Sequence, residues 1–196
     1  MIIGVTGGIG SGKSTILRVI ARRGYPVYDC DAEAKRIIVS DPDVREQMIA
    51  LFGEEVYEDG IYQTRLVSQQ VFADHDKLAR LNAIVHPAVK HDILRWAADK
   101  PIAFIETAIL FQARMDELCD KIAVVTVPEE ERIVRAMHRD RHASREDIVR
   151  RIRAQHLPED YLPTCGKPHI ILVNDDETPH RYLVSQLLQF VQSDET

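Results

Sequence analysis

Cysteine is scarce in this chain of 196 residues: Cys30, Cys119 and Cys165 are the whole complement. Their number is odd, their spacing is wide and no C-x-x-C pair occurs. That argues against a disulfide framework or a zinc site and fits a reducing compartment. Long apolar runs are missing as well. None approaches the ~20 residues of a membrane-spanning helix, and a strand-like segment starts at Ile2 with no room for a signal peptide before it. The expectation is a soluble, cytoplasmic protein with no membrane partner. Basic excess is absent: the formal net charge is −6, whereas a general nucleic-acid binder presents a positive surface. Internal repeats and low-complexity linkers are absent too. Hydrophobic residues make up 45% of the chain, enough for a sizeable core. The length suits one domain with a small insertion.

What is present is led by Gly7-Gly8-Ile9-Gly10-Ser11-Gly12-Lys13-Ser14, which fits the phosphate-binding pattern G-x-x-x-x-G-K-S/T. Ile2 to Thr6 before it reads as a buried strand. Ser14 to Arg22 after it reads as a helix, with Ile16, Leu17 and Ile20 at helical spacing. Glycines let backbone N–H groups turn toward phosphate oxygens, and a helix N-terminus adds partial positive charge. In such a loop Lys13 would bridge the β- and γ-phosphates of ATP and the Ser14 hydroxyl would ligate Mg²⁺.

Four more apolar runs read as buried parallel strands: residues 26–28, 102–105, 122–127 and 169–173. Helical stretches between them imply right-handed crossovers and a five-stranded parallel sheet flanked by helices. Ligands of such sheets gather at the strands' carboxyl ends. Those ends are Thr6 onward, Asp29 to Asp31, Glu106 to Ala108, Val127 onward and Asn174. The stretch 41–99 is too long for a simple crossover and reads as a mostly helical insertion. Within it Leu78, Leu81, Ile84, Val85, Val89, Ile93, Leu94 and Trp96 have helical spacing, and Pro87 is expected to kink or split that helix. Residues 179–191 read as a last amphipathic helix.

Several residues carry two readings. Asp29 and Asp31 suit a helix N-cap, or a carboxylate that takes a proton or orients Mg²⁺; the carboxyl-edge position favours the second role for Asp31. Glu106 is either a supporter of the Mg²⁺ shell or an ordinary strand-terminal acid. Residues 132–155 hold eight arginines against three acids. Most belong to a solvated helical face, with one or two free to meet phosphate from a closing lid. A nucleic-acid patch is weakened by the lack of interleaved aromatics. His86 reads as structural from composition alone, and nothing marks Cys30 as an activated nucleophile.

Taken together these motifs resemble the dephospho-CoA kinase family nearly end to end. The opening Gly4 to Thr15 is similar to the family's, as is the aspartate pair Asp29-Cys30-Asp31. Leu81-Asn82-Ala83-Ile84-Val85-His86-Pro87 resembles its L-N-x-x-x-H-P motif. Arg135 to Asp140, then Arg151 and Gln155, resemble its lid, and Asn174 resembles its late asparagine near adenine. The resemblance implies a P-loop kinase whose substrates are ATP and dephospho-CoA, with Mg²⁺, phosphorylating the ribose 3′-hydroxyl. It implies catalytic roles for Lys13, Asp31 and Arg139. Nucleotide contacts would come from Gly8, Ile9, Gly10, Ser11, Gly12, Lys13, Ser14, Thr15 and Asn174, and metal ligation from Ser14. Acceptor contacts would come from Asp31, Arg65, His86 and Pro87. The single domain 1–196 would comprise a core (about 1–40, 100–128 and 159–196), an acceptor-binding insertion (41–99) and a lid (129–158).

The chain departs from the family in places. Glu106-Thr107-Ala108-Ile109-Leu110-Phe111-Gln112 stands where Asp and then P-L-L-F-E are usual. Asp175-Asp176 follows the asparagine in place of a glycine-containing turn, and the lid reads one residue longer around 141–144. Another small-molecule P-loop kinase is the alternative within the class. A GTPase or nucleic-acid motor is disfavoured, because no N-K-x-D motif and no strand ending in Asp-Glu occur.

Overall fold

The computed structural model describes residues 1–140 and 143–193, the side chain of Ala73 aside. The extra lid residue expected near Arg141 falls outside the described residues.

Strands form at Ile2–Gly7 (β1), Val27–Asp29 (β2), Tyr57–Glu58 (β3), Ile61–Tyr62 (β4), Ala103–Glu106 (β5), Lys121–Thr126 (β6) and His169–Val173 (β7). Five make one sheet in the order β2-β5-β1-β6-β7, and β3 and β4 make a separate pair. β1 lies between β5 and β6 and is parallel to both, with Ile3 beside Phe104 and Lys121 and Val5 beside Glu106 and Ala123. The chain leaves β1 for β2 and later returns to place β6 on the other side. Strand order therefore reverses at β1, the point where an open parallel sheet leaves a crevice at its carboxyl edge.

Helices form at Lys13–Arg22 (α1), Cys30–Ser40 (α2), Pro42–Phe52 (α3), Thr64–Ala73 (α4), His75–Ala97 (α5), Glu129–Arg139 (α6), Arg145–Arg153 (α7), Leu162–Cys165 (α8) and His180–Gln192 (α9). The apolar stripe of α1 (Ile16, Leu17, Ile20) and that of α9 (Leu183, Val184, Leu187, Val191) close on Ile3, Val5 and Phe104 of the sheet. Each such side chain contributes about 1.5–3 kcal/mol by leaving water. This core anchors both ends of the strand that carries the glycine loop. Among the described residues no helix is long and apolar enough to cross a membrane.

Two compact units result: Met1–Tyr28 with Asp99–Thr196, and Asp29–Ala98. The second unit begins earlier than residue 41, because α2 packs against α3 and α5. It also holds a hairpin that the helical reading missed. Asp59 and Gly60 both have positive φ, 49° and 79°, as the two-residue turn of a tight hairpin requires. The Asp-Gly pair was the available signal.

Two further expectations are corrected. Pro87 does not split its helix: α5 runs unbroken through it. Pro87 withholds one N–H from the helix ladder, while Val85, Val89 and Ile93 stay buried on either side of it. β7 is not buried on both faces. It is an edge strand, with Ile171 47% and Val173 48% exposed.

Candidate active site

The loop from Gly8 to Gly12 leaves the carboxyl end of β1 and enters α1. Ser11 N–H donates to the Gly8 carbonyl at 3.1 Å, closing the turn. Gly12 caps α1 at φ 89°, and a Cβ there would lie 2.2 Å from the Asn174 amide nitrogen. Only glycine satisfies both conditions. Asn174 follows β7 and is buried. Its Nδ2 donates to the Ser11 carbonyl at 2.7 Å, and its backbone N–H donates to Thr126 O at 2.8 Å. The amide expected to face nucleotide thus braces the loop. Thr6 Oγ1, Ser11 Oγ and Asn174 Oδ1 are buried without a hydrogen-bond partner.

Lys13 opens α1 and folds back across the loop, its ammonium donating to Gly7 O at 2.9 Å and to Gly8 O at 3.4 Å. Ser14 Oγ donates to Glu106 Oε1 at 2.5 Å. The strand register explains the meeting: Glu106 ends β5 beside Val5, one strand away from the loop. A hydroxyl and a carboxylate side by side at a phosphate loop are hard oxygen donors that suit Mg²⁺, which takes one or two protein ligands and fills the rest from phosphates and water.

The arginines divide sharply. Arg132 is buried, 6% exposed; its Nε donates to Ile9 O at 3.0 Å and its Nη2 reaches Gln155 Oε1 at 3.4 Å. Burial lowers its pKa, opposed by the charges of Glu159 and Glu129. Arg135 donates to Asn174 O at 2.8 Å and pairs with Glu131 at 3.0 Å and Asp176 at 2.6 Å. With Gly12, Asn174, Asp176 and His180 it lines a cavity of about 410 Å³ beside the loop. Arg139 is exposed at the end of α6. Arg145, Arg150, Arg151 and Arg153 pair with Glu130, Asp147, Asp140 and Glu129 on the surface, where such pairs contribute little. The sequence did not single out Arg132, which reaches the loop at Ile9, or Arg135, which reaches Asn174 behind it. A signal existed for Arg132, which shares a helical face with Ala136 and sits beside Ile133, all three buried.

The acceptor candidates lie in the second unit. Asp29 accepts from the Asp31 and Ala32 N–H groups, both at 3.0 Å, and caps α2. Asp31 stands exposed in the first turn of that helix. Arg65 is exposed on α4, and His86 and Pro87 lie on α5. Burial and then the charge of Lys90 lower the His86 pKa. Arg36 on α2 pairs with Asp92 on α5 at 2.6 Å, tying the helices of Asp31 and His86 together. Cys119 is buried, which pushes its thiol up to about 12 and leaves it inert.

A family model described as dephospho-CoA kinase (CoaE) matches residues 1–179. The chain belongs to the dephospho-CoA kinase family. It is 36% identical over 192 residues to a dephospho-CoA kinase of Bacteroides fragilis, covering 96% of this chain and 90% of that protein. It is 37% identical over 193 residues to one of Porphyromonas gingivalis, covering 97% and 93%. The solved structure of TT1252 from Thermus thermophilus superimposes with a TM-score of 0.81 at 31% identity, covering 99% of this chain and 98% of that one. Glu106, one of the chain's departures from the family pattern, reaches Ser14. Gln112, another, is exposed, its amide 3.5 Å from the His156 carbonyl.

Proposed function

We propose that this chain transfers the γ-phosphoryl group of ATP to the ribose 3′-hydroxyl of dephospho-CoA. The observation that carries the reading is the convergence of Lys13, Ser14 and Glu106 on a glycine loop in a chain of this family. The backbone of Gly8 to Thr15 would hold the phosphates, and the cavity beside Asn174 would hold the base. Lys13 would leave the loop carbonyls for the β- and γ-oxygens. Ser14 and Glu106 would hold Mg²⁺, which when bound neutralises charge shared by those oxygens. Asp31 would take the proton of the 3′-hydroxyl or orient it. Arg65, His86 and Pro87 would place the acceptor, and Arg139 would meet the transferring group as the lid, residues 129–158, shuts out water. The reaction belongs in the cytoplasm and needs neither nucleic acid nor membrane.

The test is turnover with ATP and dephospho-CoA, read by mass analysis of the product, with adenosine as a control acceptor. Coenzyme A and ADP should form, and adenosine should react poorly because it lacks the groups that the second unit would bind. Equal rates with both acceptors would reject the assignment of substrate.

A further inference from the structure

Ile9 of the glycine loop is gripped through both of its flanking peptide groups. Its N–H donates to Gln155 Oε1 at 2.8 Å, and its carbonyl accepts from Arg132 Nε at 3.0 Å. Gln155 is itself held in one orientation. Its oxygen receives the Ile9 N–H and Arg132 Nη2, at 3.4 Å, while its Nε2 donates to Ala108 O, also at 3.4 Å. Two donors on one side and an acceptor on the other leave a single consistent placement of the carboxamide. The guanidinium fits because Gly8 has no side chain: a Cβ there would stand 2.4 Å from Arg132 Nη2. Gln155 lies just past the end of α7, where its own N–H still bonds Ile152 O at 3.3 Å. Neither Gln155 nor Arg132 was expected to touch the loop.

Loop amides of this kind are the groups that cradle phosphate, and a carboxamide oxygen is a neutral acceptor of the same geometry. We infer that Gln155 is a built-in competitor for phosphate at the Ile9 amide, so that nucleotide must displace the end of the lid helix α7 in order to seat. This rests on residues 7–14 being a nucleotide site. The competition is one-sided. A phosphate oxygen is charged, and charge-assisted hydrogen bonds are roughly twice as strong as neutral ones. Gln155 therefore yields to nucleotide, lowers its affinity by the worth of one neutral bond, and satisfies the amide when nucleotide departs. Arg132 holds the adjoining Ile9–Gly10 peptide through the Ile9 carbonyl during the exchange, as a positioning residue.

The test is calorimetric titration of Mg·ADP and of a non-hydrolysable ATP analogue into the wild type, Gln155→Met and Gln155→Glu, together with solvent exchange of the Ile9 amide by NMR. Methionine keeps the length and removes the acceptor, so binding should tighten about 2- to 10-fold, the range one neutral hydrogen bond allows. Glutamate is isosteric, stays latched by Arg132 and places a negative charge against phosphate, so binding should weaken by roughly 10-fold or more. The Ile9 amide should be protected in the free wild type, exposed in free Gln155→Met, and protected again when ADP is added. Two substitutions that weaken binding alike, or an Ile9 amide that stays protected in free Gln155→Met, would overturn the inference. A wild type that binds neither nucleotide would overturn the nucleotide site itself, and the inference with it. Melting curves of both variants identify any loss of fold, and the isosteric Gln155→Glu carries the test if Gln155→Met is unstable.

Discussion

Asp29 and Asp31 sit two residues apart on one helix start, and only one of them is spent on the backbone. The Asp29 carboxylate satisfies the Asp31 and Ala32 N–H groups, so Asp29→Ala should lower stability by about 0.5–2 kcal/mol, read by chemical denaturation. Asp31→Asn should leave stability within about 0.5 kcal/mol yet lower kcat far more than it raises the KM for ATP, because an amide cannot accept the proton. A larger kcat loss for Asp29→Asn than for Asp31→Asn would reverse the two roles. His86 makes a prediction about pH. Burial and Lys90 depress its pKa below the ordinary 6.5, so the unfolded chain binds this proton more readily than the folded one. Its contribution is present above that value and is lost as pH falls toward the folded-state pKa. Denaturation midpoints between about pH 7 and about pH 5 should therefore decline more steeply for the wild type than for His86→Gln. Parallel lines would exclude His86 from the pH response.

At the scale of elements, α5 holds an apparent contradiction: an unbroken helix with a proline inside it. A proline within a helix costs about 3 kcal/mol relative to alanine, and the buried residues on either side of Pro87 absorb it. Pro87→Ala should accordingly raise stability by about 1–3 kcal/mol. If the local geometry at His86-Pro87 places the acceptor, the same change should raise the KM for dephospho-CoA. A melting curve with a Michaelis analysis checks both. Higher stability with an unchanged KM would remove Pro87 from the acceptor site. The hairpin at Asp59-Gly60 raises no such conflict, because positive φ at both positions is what Asp and Gly tolerate best.

For the molecule as a whole, the two compact units make a prediction about ligands. The glycine loop, Asn174 and the lid arginines belong to one unit, and Asp31, Arg65, His86 and Pro87 to the other. Mg·ADP should slow hydrogen exchange chiefly in residues 1–28 and 99–193, and dephospho-CoA chiefly in residues 29–98. Saturation at 100 times Kd should also add about 2.7 kcal/mol of stability for either ligand. Exchange mass spectrometry separates the regions. Dephospho-CoA protecting only the first unit would refute the assignment of the acceptor site.

Some of this was readable in the sequence because it is local. The spacing of glycines before Lys13, the apolar strands, and the stripes of α1 and α9 depend on neighbours within a turn or two, and apart from the exposed face of β7 they emerged as expected in kind, with ends shifted by at most a residue. Asp59-Gly60 was equally local, and its signal lay unused inside a stretch whose helical periodicity dominated. The site's contacts are not local. Ser14 meets Glu106 across 92 positions, Ile9 meets Gln155 across 146, and Asn174 meets Ser11 across 163. The strand order brings the first and last of these together, and it also leaves β7 at the edge with one face bare. No short stretch of residues encodes that order, because it is chosen by how all the helices and strands bury their apolar faces at once. Sequence by itself determined the glycine-loop pattern from Gly7 to Ser14 and its place between a strand and a helix; the tertiary structure decided which distant oxygen faces Ser14, which arginine of the lid is buried, and what holds the loop.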